Sequence, residues 1–171
     1  MKRKILITIF ALCILLAFTQ PSIAEMLKEG SGSSTNIYSG TFTAVPADKE
    51  HYIVHYTNKG VIVADDKNSP FNNMSSYNVG NMYFENGVGR LTGYMTCTDP
   101  EGDKVVIELE ETNSKPAPAP GGNSGTGKYI YGTGKFAGIE GTIEYKRWYV
   151  YPATKDTYQA ISKSTSTWKI P

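Results

Sequence analysis

The chain has 171 residues, with 17 Lys and Arg against 16 Asp and Glu, a formal net charge of +1 at pH 7. So even a balance leaves no electrostatic footprint for nucleic acid or for an anionic membrane, and neither is expected as a partner. Of the two cysteines, Cys13 lies in the N-terminal apolar run and only Cys97 lies in the body, which excludes a disulfide framework.

In chain order, Lys2, Arg3 and Lys4 precede an almost unbroken apolar run over 5–18, and Ser22-Ile23-Ala24 places small residues where a signal peptidase reads. The run falls short of the roughly 20 residues that cross a bilayer as a helix. Residues 1–24 are therefore predicted to be a cleavable export signal. Cys13 sits inside the run and not at its end, unlike a lipoprotein signal. The mature chain is expected in the periplasm or outside the cell, with no membrane association after cleavage. Residues 25–36, with Gly30-Ser31-Gly32-Ser33-Ser34, read as a flexible leader. The rest, 37–171, reads as one domain.

Beyond residue 36, alternation and turn chemistry dominate and no window holds a 3.6-residue period. Strands are predicted over 37–45, 52–57, 61–65, 77–85, 88–98, 104–111, 128–132, 141–151 and 157–168. Asn86-Gly87 is a two-residue hairpin signal, since a type I′ turn needs positive φ at both central residues. Asp99-Pro100-Glu101-Gly102 predicts a second hairpin. On 104–111, Val105, Ile107 and Leu109 share one face and Glu108 and Glu110 the other. Residues 113–127, with Pro116, Pro118, Pro120, Gly121 and Gly122, read as a loop at one rim. So many antiparallel strands in one small domain leave exposed edges, which closure into an eight-stranded barrel removes; a two-sheet sandwich is the alternative.

Several motifs imitate known chemistry. Gly122 to Lys128 approaches a phosphate-binding loop, but Tyr129 follows the lysine where Ser or Thr is needed, and a strand follows in place of a helix. Gly132-Thr133-Gly134 lacks the βαβ surroundings of a dinucleotide site. Asp99, Glu101 and Asp103 echo a calcium loop whose sixth position, Lys104, is not glycine. His51 and His55, the only histidines, read as surface residues near a strand start. Neither a metal nor a cofactor is expected.

Site candidates come from the strands. Leu91, Met95 and Cys97 share a face opposite Arg90, Thr92, Tyr94 and Thr96. Ile143, Tyr145, Arg147 and Tyr149 share a face opposite Thr142, Glu144, Lys146 and Trp148. An apolar interior is favoured because Val105, Ile107 and Leu109 need burial. Ligand-binding candidates are then Leu91, Met95 and Ile107. Candidate acid–base or nucleophilic groups are Glu144, Tyr145, Arg147 and Cys97, with Cys97 otherwise a buried, inert thiol.

Gly132-Thr-Gly134-Lys-Phe136-Ala-Gly138-Ile-Glu-Gly141-Thr-Ile143, with Val150-Tyr151-Pro152 and Tyr158 after it, resembles the C-terminal half of the allene oxide cyclase and dirigent-like barrels. The stretch from Gly89 to Glu108, with Thr98-Asp99-Pro100-Glu101-Gly102-Asp103, is similar to a hairpin of bacterial relatives of that barrel. The resemblance implies an eight-stranded antiparallel barrel with a central cavity, often in dimers or trimers. It also implies a cavity of the kind plant members use to guide cyclisation or radical coupling of apolar molecules. The expected function is binding of a small apolar or amphipathic ligand in the barrel. A cofactor-free cyclase or isomerase, and an interaction module with a filled core, are the alternatives.

Overall fold

Alternating inward and outward residues need a surface that buries one side of every strand. The computed structural model describes residues 27–116 and 121–171, with the backbone alone for 151–154. The predicted export signal, 1–24, lies outside the described residues, as do 117–120 of the Pro/Gly-rich loop. Eight strands form: β1 (Glu29–Pro46), β2 (His51–Ala64), β3 (Met74–Glu85), β4 (Val88–Thr98), β5 (Lys104–Ser114), β6 (Asn123–Gly132), β7 (Glu140–Thr154) and β8 (Thr157–Lys169). Each pairs antiparallel with the next, and β8 closes onto β1, from Glu29 opposite Lys169 to Thr41 opposite Thr157. The architecture is a closed up-and-down barrel, and no edge is left unpaired.

The predicted rim loop, 113–127, is shorter than expected, since 113–114 end β5 and 123–127 begin β6; two further differences from the sequence reading have physical causes. Segments 52–57 and 61–65 are one strand, β2, which runs through Asn58-Lys59-Gly60. Gly60 is no breaker there: a Cβ on it would lie 2.6 Å from the Tyr38 Cβ, so the glycine lets β1 and β2 approach. The segment read as a flexible leader is strand from Glu29 onward, because Gly30 and Gly32 lie beneath the Trp168 indole, at 3.0 and 3.5 Å from their would-be Cβ atoms. A serine–glycine run carries no hydrophobic signal, yet it is what a neighbouring tryptophan needs.

The predicted turns hold. Asn86 and Gly87 have φ of 52° and 77°, the pair of positive values that a type I′ hairpin requires. At the second hairpin the Asp99 carboxylate accepts hydrogen bonds from the amides of Glu101 and Asp103, both at 2.9 Å.

The up-and-down order gives the barrel two unlike ends. Connections 64–74, 98–104 and 132–140 and both described termini lie at one end, here called the base. Phe71 folds inward there from the β2–β3 connection, stacking on Tyr129 and Phe136 and meeting Trp168 edge-on. With Met74, Val105, Ile139 and Ile170 these rings plug the base. Each fully buried side chain of this kind contributes roughly 1.5–3 kcal/mol of transfer free energy. The other end, the mouth, holds the β1–β2, β3–β4, β5–β6 and β7–β8 hairpins.

Candidate functional site

Between base and mouth the inward positions change character. β5 brings in Val105, Ile107 and Leu109 and then, at the next inward position, Glu111. β7, on the far side of β6, brings in Ile143, Tyr145 and Arg147. An Arg147 Nη2 donates to Glu111 Oε2 at 2.8 Å, with the two side chains only 5% and 1% exposed. The Ser114 hydroxyl donates to the same carboxylate oxygen. The guanidinium carbon lies 5.2 Å from the centre of the Tyr149 ring. A buried ion pair survives only with compensating contacts, since withdrawing two charges from water costs several kcal/mol each.

A polar belt continues on the opposite wall. Asn78 donates to Asn58 Oδ1, and Asn58 donates to the Tyr158 hydroxyl at 2.9 Å. Ser76 donates to Asn36 Oδ1 at 3.2 Å. Three atoms of this interior have no hydrogen-bond partner: Glu111 Oε1, Arg147 Nε and Asn78 Oδ1. The Tyr145 hydroxyl lies within hydrogen-bonding reach of the Glu111 carboxylate, but among the described residues none makes a well-formed hydrogen bond to Oε1. All three residues line one interior cavity of about 70 Å³, together with Leu91, Met95, Ile107, Tyr38 and Tyr56. That volume holds a few water-sized groups.

Above it, at the mouth, lies an apolar hollow of about 180 Å³ lined by Phe42, Tyr52, Val54, Met82, Phe84, Tyr149, Tyr158 and Pro116. Tyr56 lines both spaces. Its hydroxyl packs over two inward glycines, Gly80 and Gly93, where added Cβ atoms would lie 2.7 and 2.5 Å from it. The site is therefore a small polar chamber below an aromatic vestibule.

Burial sets the protonation of this interior. It pushes the phenols of Tyr38, Tyr56 and Tyr145 well above their usual range, with Arg147 pulling partly the other way. Tyr158 is pushed up to about 12 by burial, offset in part by its bond from Asn58. Burial works against the charge on Arg147, but Glu111 and the surrounding phenols more than compensate and hold it protonated. At neutral pH the tyrosines act as hydrogen-bond donors and not as bases. Cys97, fully buried, is pushed up to about 12 by desolvation alone, so its thiolate is scarce and the thiol unreactive.

The sequence candidates divide cleanly. Leu91, Met95, Cys97, Ile107, Tyr145 and Arg147 all line the cavity. Glu144 does not: it points outward from β7 and is exposed. As a candidate acid–base group inside the barrel Glu144 is thereby corrected: consecutive strand residues face opposite sides, and the carboxylate beside Arg147 is Glu111. The interior is largely apolar, as expected, with a polar inclusion. Val105, Ile107 and Leu109 are inside, but the same face carries Glu111. The alternation 105, 107, 109, 111 was the signal that could have found it. Asn58 and Asn78 were likewise visible only as every-second-residue neighbours of buried apolar positions.

Asp99, Glu101 and Asp103 do converge, each offering an oxygen within 4.8 Å of the others, the one such cluster among the described residues. Lys135 takes the central place: its ammonium lies 2.7 Å from Asp99 and 2.8 Å from Glu101. The cluster is a structural clasp between two base loops. His51 pairs with Asp48 at 2.9 Å, and His55 with Asn81 at 3.0 Å, both on the outer surface of β2.

No family model matches the chain, and no curated protein matches it either. Among solved structures, the pterocarpan synthase dirigent protein GePTS1 is similar over 88% of this chain and 96% of its own, at 12% identity and a TM-score of 0.50. The pterocarpan synthase dirigent protein PsPTS1 is similar over 86% of this chain and 99% of its own, at 13% identity and a TM-score of 0.47. At such identity the likeness to GePTS1 is one of fold: the chain is a dirigent-like, eight-stranded barrel.

Proposed function

We propose that this chain is an exported protein that binds a small amphipathic molecule in its barrel. The apolar body of the ligand would lie in the aromatic vestibule and its polar end would reach the chamber below. The observation that carries this reading is the set of three buried polar atoms, Glu111 Oε1, Arg147 Nε and Asn78 Oδ1, left without partners around one cavity. Unpartnered buried polar groups cost roughly 1–3 kcal/mol each, a cost that a scaffold needing only a filled core would shed by using apolar side chains. The position of the chamber beneath an aromatic mouth fits a convergent polar site at the end of an apolar pocket.

A second reading, cofactor-free isomerisation or cyclisation, draws on the same pair. A charged Glu111–Arg147 dipole in a low-dielectric interior is a preorganised field for a substrate whose charge shifts during reaction. Native mass spectrometry of protein recovered from an exporting host tests the binding reading. An adduct of small-molecule mass, lost on denaturation, is expected. A clean protein mass that takes up nothing from a metabolite extract would defeat both readings and favour the filled-core alternative. In the same sample a chain beginning at Glu25 is the mark of export.

A further inference from the structure

The ion pair also bears on the kind of polar end the chamber accepts. We propose, resting on the ligand-binding reading above, that the site selects an uncharged, hydrogen-bond-donating head group, such as an alcohol or primary amide, over a carboxylate of the same shape. A lone buried arginine would recruit an anion. Here Arg147 already donates to Glu111 Oε2 at 2.8 Å, so the pair is neutral before any ligand arrives. An anionic head beside it would leave two carboxylates sharing one guanidinium in a medium that screens poorly. An ammonium head would place a second cation beside Arg147.

The unpartnered atoms agree with a neutral donor. Glu111 Oε1 accepts only, and Asn78 presents its carbonyl oxygen because its amide nitrogen is committed to Asn58. Two of the three open positions therefore ask the ligand for an O–H or N–H. The third, Arg147 Nε, offers one donor, which a hydroxyl or amide oxygen can accept. A primary amide, with two N–H donors and a carbonyl oxygen, can meet all three; a hydroxyl meets one acceptor and the arginine; a carboxylate meets only the arginine. The cavity of about 70 Å³ has room for a head of this size.

The test uses three probes of equal chain length, hexan-1-ol, hexanamide and hexanoate, titrated into the purified protein at neutral pH by calorimetry and by native mass spectrometry. The alcohol and amide are expected to bind at least about tenfold more tightly than hexanoate, a difference near 1.4 kcal/mol. Glu111→Gln frees the arginine and is expected to reverse the order in favour of hexanoate. Asn78→Leu removes a neutral acceptor and is expected to weaken the alcohol while leaving hexanoate unchanged. It keeps the idea testable if Glu111→Gln fails to fold, as judged by tryptophan fluorescence. Hexanoate binding the wild-type protein as tightly as the alcohol would overturn the head-group proposal and leave the binding reading standing. No binding by any probe, in a protein that also carries no adduct from its host, would defeat the binding reading and this proposal with it.

Discussion

The barrel holds two clusters of opposite charge, and they are built to different ends. At the base, Lys135 joins Asp99 and Glu101, while the Asp99 carboxylate also receives two backbone amides and the amide of Lys135 donates to Asp103 at 3.0 Å. That clasp ties the β4–β5 hairpin to the β6–β7 connection, and its buried Asp99 Oδ2, which no well-formed hydrogen bond reaches, still has the Lys135 ammonium at 2.7 Å. In the middle of the barrel, Glu111 and Arg147 are more deeply buried and less completely matched, with one atom on each left open. A cluster that shares its charge with backbone amides and partly exposed partners fixes loops cheaply; a pair buried on both sides is an expensive way to hold a fold. The difference argues that the interior pair answers to something besides stability.

The largest expected effect breaks the interior pair on one side only. Arg147→Met leaves the Glu111 carboxylate buried without its counter-charge and is expected to cost about 3–5 kcal/mol in urea unfolding. Replacing both, Glu111→Leu with Arg147→Met, is expected to restore stability to the wild-type value or above it while abolishing small-molecule uptake. A double variant as unstable as the single one would show the pair to be structural and dissolve the contrast with the base.

A smaller effect sharpens the other side of the comparison. Burial opposes ionisation of Asp99, but Lys135 and the backbone amides hold its carboxyl below the ordinary range. A depressed carboxylate adds stability that is present above its unfolded pKa and is lost as pH falls through the folded value. The window therefore lies below about pH 4, where free carboxylates titrate. Lys135→Met is expected to cost about 1.5 kcal/mol at neutral pH, the low end for hydrogen bonds to charged groups because solvent screens the partly exposed lysine, and to flatten the loss of stability below pH 4. Small-molecule binding should be untouched. An acid-unfolding curve that superimposes on the wild-type one would remove Lys135 from the account.

How far the sequence could be read follows from these same elements. Closure into eight antiparallel strands was legible because turns such as Asn86-Gly87 and Asp99 to Gly102 are local chemistry, and because alternation marks which side of a strand is buried. The N-terminal half of β1 was not legible. Gly30 and Gly32 are defined by Trp168, which lies far along the chain, and nothing local announces that pairing. The polar chamber was half legible. Arg147 and Tyr145 stood out as inward candidates on β7, but their partner lies on β5, two strands away, and is set by the registers of β5 with β6 and of β6 with β7. Glu144 was attractive because it is adjacent in sequence, and adjacency on a strand means opposite faces.

That last contrast supplies the smallest expected effect and the most direct check on which carboxylate matters. Glu144 and Glu111 sit on β7 and β5, the two strands that flank β6, one pointing outward and one inward. Glu144→Gln changes an exposed residue on the outer surface of β7, away from Arg147, and surface changes of this kind fall within about 0.5 kcal/mol. Stability and hexan-1-ol binding are both expected to match wild type. Glu111→Gln is expected to change the order of ligand preference at the same nominal chemistry, one carboxylate to one amide. If Glu144→Gln instead altered binding as much as Glu111→Gln did, the strand would have to be turned by one residue. Arg147 and Tyr145 would then face solvent, and the chamber could not exist as described. The pair of variants thus tests the register of β7 through function, at a position where stability alone would register almost nothing.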